Sequence, residues 1–125
     1  GDEQFDALQR AHDMLTSDNL EFLRALPHRA ALSFEGKSVC LCHGTVSSQG
    51  AVLRADDSID HFRRQREAAN TDIVMCGSDG EAFSRIVDQT LFINPGRLDT
   101  VGCDASFVVA NTDTDPLSAE IVRVG

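Results

Sequence analysis

The sequence predicts an α/β protein whose strands run in mixed directions, α+β in that sense, with its helices packed on one face of a mixed sheet. Three observations carry this prediction. Residues 38–42 (SVCLC) and 72–76 (DIVMC) are short, nearly unbroken apolar runs, the pattern of strands buried on both faces. Residues 2–15 place Phe5, Leu8, His12 and Leu15 at helical spacing, with Asp, Gln and Arg between them. Strand-like runs flank Glu35-Gly36-Lys37 and Asp88-Gln89, the arrangement of hairpins.

The remaining elements follow in order. Asp18, with Glu21 three residues on, resembles a capping box and starts a second helix. Its apolar face is Leu20, Leu23 and Leu26, and Pro27 follows its end. Residues 30–34 and 38–42 form the first hairpin, and 45–50 a polar loop. Residues 56–70 form a third helix capped by Asp57 or Ser58. There Ile59 and Phe62 face inward and Arg63, Arg64 and Arg66 form a solvated face, neutralised by Asp60 and Glu67. After the 72–76 strand comes a loop over 77–81. A hairpin of 82–87 with 90–93 follows, then a turn at Asn94-Pro95-Gly96. A last antiparallel pair is expected over 106–111 and 119–124. The order is thus two helices, two strands, one helix and five strands.

A chain of 125 residues has the length of one domain, taken as residues 1–125, with room for one modest core. No apolar run approaches the ~20 residues that span a bilayer, and the first residues lack the pattern of a signal peptide. The net charge is −9, and Lys37 is the sole lysine. That balance disfavours nucleic-acid backbone and anionic membrane as partners, since both require basic patches. Cys40, Cys42, Cys76 and Cys103 lack the spacing of a zinc site or redox motif. They read as free, mostly buried thiols, which points to a reducing cytoplasm.

The stretch with most chemical content is Cys42-His43-Gly44-Thr45. A histidine before glycine at the end of a buried strand projects from the edge of the sheet where ligands bind in open α/β folds. Read by itself, His43 is a histidine donating a hydrogen bond at a strand end. Ser78-Asp79-Gly80 and Asn94-Pro95-Gly96 read by themselves as turns. Cys42 and His43 are unsuited to nucleophilic catalysis together, because adjacent strand residues point to opposite faces. No Gly-x-Ser-x-Gly elbow is present.

Taken in order and spacing, three stretches resemble the C-terminal half of the calcineurin-like metallophosphoesterases, in their small bacterial and archaeal phosphodiesterase branch. They are the strand ending in His43-Gly44, the strand ending in Cys76-Gly77-Ser78-Asp79-Gly80, and Phe92-Ile93-Asn94-Pro95-Gly96. Residues 19–27 (NLEFLRALP) look like the helix-then-proline segment that precedes them. The resemblance implies half of an α/β sandwich that elsewhere carries two divalent ions at its strand ends. Such a pair clamps both the attacking and the leaving oxygen of a phosphate ester.

Carried over by position, His43 matches the histidine before glycine and Gly77 the glycine of a Gly-His-x-His motif, whose two histidine positions are Ser78 and Gly80 here. No Asp-x-His or Gly-Asn-His-Asp sequence occurs. The resemblance therefore leaves His43 as a metal-ligand candidate and Asp79, between the two replaced positions, as a second candidate that would supply an oxygen. Asn94 and Arg97 are candidates for binding substrate or an anion; Arg97 stands where the family often has serine. The expected function is a binding or interaction module without phosphodiesterase activity of its own and without a cofactor. Its expected partners are a second copy or a missing partner half, and a phosphate-containing small molecule. The alternative is a metal-dependent phosphoesterase, using Mn, Fe, Zn or Ni, whose N-terminal ligand half is a removed segment or a separate chain.

Overall fold

The computed structural model describes residues 2–77, 81–97 and 105–124. In chain order these form α1 (Asp2–Met14), α2 (Ser17–Ala25), β1 (Arg29–Phe34), β2 (Lys37–His43), α3 (Ile59–Ala69), β3 (Ile73–Gly77), β4 (Phe83–Val87), β5 (Thr90–Asn94), β6 (Ala105–Asn111) and β7 (Ser118–Val124). The expected succession of helices and strands is the one observed. Five strands make a mixed sheet in the order β1-β2-β3-β5-β4. The two apolar runs singled out in the sequence are thus interior strands. β2 and β3 are parallel, as are β3 and β5, while the outer pairs β1–β2 and β4–β5 are antiparallel hairpins. β6 and β7 pair only with each other.

Both hairpins turn through two residues of positive φ, Glu35 and Gly36 in one, Asp88 and Gln89 in the other. That geometry matches the right-handed twist of the strands it joins. Parallel strands need a crossover, and α3 supplies the one from β2 to β3. Ser58, one of the two expected caps, starts α3: its Oγ accepts a hydrogen bond from His61 N at 3.2 Å. Asn70 ends the helix in the left-handed conformation, its N–H donating to Arg66 O at 2.8 Å. In α2 the cap is Thr16 and not Asp18. Thr16 is extended and its hydroxyl accepts from Asn19 N, so the helix begins earlier than the capping-box pattern suggests. Asp18 instead lies in the first turn, where a carboxylate suits the helix dipole.

Paired strand residues share a face, so the register divides the sheet cleanly. One face carries Cys40, Cys42, Val74, Cys76, Phe83, Val87 and Phe92. α3 packs here through Phe62, which is wholly buried and meets Phe92 and Phe83 edge-on, with ring centroids 5.0 and 6.1 Å away. The Arg85 guanidinium lies 4.4 Å from the centre of the same ring and donates to the carbonyls of Ala55 and Asp57. Ile59, expected to face inward, is exposed at the first position of α3. The turn of the helix puts Phe62 and Gln65 on the buried side instead. Arg63 forms its ion pair with Asp88 in the β4–β5 turn, at 2.8 Å, and Asp60 adds a smaller favourable charge, as expected. Arg66 donates to Thr90 Oγ1.

On the other face, Val39, Ile73, Leu91 and Ile93 lie beneath Leu117 and the inner residues of the β6–β7 hairpin, Val108, Ala110 and Ala119. Leu41 lies on this face but is exposed, so β2 is not buried on both sides as its apolar run suggested. The hairpin covers β3 and β5 and stops short of it. Of the three helices placed on one face by the sequence reading, α3 packs there. α2 buries no residue, and Phe5, Leu8, Phe22, Leu23 and Leu26 of α1, α2 and the segment after them are exposed. Among the described residues no helix is long and apolar enough to cross a membrane.

A polar clasp holds the N-terminal ends of the inner strands. Asp72 Oδ2 accepts from Ser38 N at 2.9 Å and from Ser38 Oγ at 3.1 Å, and Asp72 N donates to Ser38 Oγ at 3.0 Å. Leu91 N donates to Asp72 O, extending the clasp to β5. The hydrogen bond from Ser38 N, chiefly, holds the Asp72 carboxyl below its ordinary range. A depressed carboxyl stabilises the fold above its unfolded pKa of about 3.9, and that contribution is lost as pH falls through the folded value. The stability difference between wild type and Asp72→Asn, followed by urea unfolding, will be constant above about pH 5 and shrink below about pH 4. A difference that stays flat through that range would contradict the clasp. Removing the ring in Phe62→Ala will cost about 3–5 kcal/mol, a large share of the ~5–15 kcal/mol typical of a domain. A loss under ~1 kcal/mol in the same assay would mean that α3 is not seated by this side chain.

Candidate functional site

β2, β3 and β5 run in one direction, so their C-terminal ends share one edge of the sheet. His43 ends β2, Gly77 ends β3 and Asn94 ends β5. The loop after β2 is shaped by Gly44, whose φ is +80°. A Cβ there would come within 2.6 Å of the carbonyl oxygens of Ser48 and Gln49, because the loop folds back over this residue. Gly44 N extends the parallel ladder by donating to Gly77 O at 2.8 Å. Thr45 is buried; its N–H donates to Ser48 O, and its hydroxyl accepts from Ser48 N.

The loop is also tied to α3. Gln65, buried on the helix, accepts from Val46 N at 2.8 Å through Oε1 and donates from Nε2 to Ser47 Oγ at 3.1 Å. One side chain thereby satisfies both the backbone and the side chain of the segment that follows His43. The sequence reading passed over Gln65 among the arginines around it. Its spacing of three from Phe62 placed it on the same helix face and could have marked it.

His43 and Asn94 do not converge. They are separated by β3, two strand spacings or about 10 Å. Pairing places His43 on the face of Leu41 and Gly77, and Asn94 on the face of Phe92. His43 is exposed, while Asn94 is buried and its Oδ1 accepts from Gly96 N at 2.9 Å. Asn94 thus holds its own turn. Gly96 has a φ of +84°, and a Cβ on it would collide with Ser106 Oγ, which donates to Pro95 O at 2.7 Å. The turn is in this way packed against the start of β6. Arg97 is exposed just beyond it, and its carbonyl accepts from Ser106 N. Asp79 lies outside the described residues, as do Ser78 and Gly80. Among the described residues no group of three His, Cys, Asp or Glu side chains is placed to hold a metal ion.

The three described cysteines are free and buried, as expected. Cys42 and Cys76 are register partners on the α3 side of the sheet. Burial pushes the Cys76 thiol up to about 12 and the Cys42 thiol up to about 11, so both stay protonated at neutral pH. Protonated, enclosed thiols are neither nucleophiles nor ready metal ligands. On the His43 side of the same strand ends is an apolar cavity of about 230 Å³, lined by Leu41, Met75, Gly77, Ile93, Pro95 and Val108 among others.

This architecture, a mixed sheet whose parallel strands end in a histidine–glycine loop and an Asn-Pro-Gly turn, is that of a phosphoesterase-type α/β unit. The calcineurin-like phosphoesterase superfamily domain matches residues 3–115, and the chain belongs to that family. A hypothetical protein from Pyrococcus horikoshii superposes with a TM-score of 0.69 at 15% identity, over 83% of this chain and 42% of its own. Zinc-complexed Vps29 from Entamoeba histolytica gives 0.56 at 17% identity, over 80% of this chain and 61% of its own. A novel archaeal phosphodiesterase gives 0.54 at 14% identity, over 78% and 51%. These likenesses concern the fold. The chain spans about half the length of these solved structures. Comparison with curated proteins finds no match.

Gln65→Leu will leave the buried Val46 N–H without an acceptor and cost about 1–3 kcal/mol in urea unfolding. Amide exchange at Val46 and Ser47 will quicken with it, while β3 and β5 stay protected. Unchanged exchange at Val46 would show that Gln65 does not hold the loop.

Proposed function

We propose that this chain is a calcineurin-like phosphoesterase unit that works as a binding and interaction module and does not hydrolyse phosphodiesters by itself. The observation that carries this reading is the donor set at the strand ends. A two-ion clamp requires several ligands on each ion, about 3.5–4 Å apart. Here the positions that resemble the family's histidine pair are serine and glycine, Ser78 and Gly80. His43 has Gly77, which has no side chain, as its neighbour across the ladder. Serine hydroxyl is a poor ligand for such ions. The residues described do not fit the two-metal group, and no catalytic step is assigned through it.

What remains is a binding surface. Arg97, exposed just beyond the Asn94-Pro95-Gly96 turn, adds positive charge on the side where a phosphate-containing small molecule would bind, which the net charge of −9 otherwise disfavours. The uncovered part of the sheet, where Leu32, Phe34 and Leu41 are exposed, supports a module that acts by meeting another chain. Free buried thiols fit a reducing compartment such as the cytoplasm. The second reading, a metal-dependent phosphoesterase completed by ligands from another segment, is favoured by the half-length match to the solved structures.

Assay of bis-p-nitrophenyl phosphate hydrolysis with added Mn²⁺ will give no turnover above the metal blank, for wild type and His43→Ala alike. Turnover that disappears in His43→Ala would overturn the non-hydrolytic reading and turn attention to Asp79 as the next ligand.

A further inference from the structure

We draw no further inference here: the strongest candidate, the outer face of the β6–β7 hairpin, where Phe107, Val109 and Val124 are exposed, carries none, because nothing in the structure shows what covers it.

Discussion

The seating of the Phe62 ring on the sheet is the interaction on which the rest depends. It meets Phe83 and Phe92 edge-on, with the Arg85 guanidinium against its face. These partners come from β4 and β5, so one side chain ties the crossover helix to the far side of the sheet from the strand it follows. Once Phe62 is placed, Gln65 one turn on has a single orientation, and its amide fixes the segment after His43. The candidate site is therefore built at second hand. Its loop is held by a helix, and the helix is held by an aromatic contact on the other half of the sheet.

The inner strands are fixed at both ends by different means. At the N-terminal end a carboxylate and a serine share hydrogen bonds between Asp72 and Ser38. At the C-terminal end the chain uses close backbone approach, with Gly44 donating to Gly77 beneath a loop that leaves no room for a Cβ. Between them the α3 face is filled by small thiols and aromatic rings. Cys40, Cys42 and Cys76 are the right size to pack below a helix carrying a phenylalanine, and their burial keeps them protonated and inert.

The two faces of the sheet differ in completeness. The α3 face is closed over its middle strands. The opposite face is closed only where the hairpin reaches, and the exposures of Val39 and Leu41, two residues apart on one strand, record the boundary. In this member of the calcineurin-like phosphoesterase family, serine and glycine at the positions that resemble the histidine pair stand together with an apolar layer that the hairpin covers only in part.

How much of this was legible in advance divides along a physical line. The strands, the hairpins, the Ser58 cap and the interior places of the two apolar runs follow from local pattern, because turn residues, caps and strand-length runs act within a few residues of chain. The family resemblance was equally local, resting on His43-Gly44, Gly77 and Asn94-Pro95-Gly96. The exposure of Leu41, the inward turn of Gln65 in place of Ile59 and the separation of His43 from Asn94 were not legible. Alternation along β2 says that Leu41 and Cys42 face opposite ways, but not which of them another layer will reach. That is decided by where β6 comes to rest, through contacts with residues more than sixty positions away, and no local rule of spacing contains it.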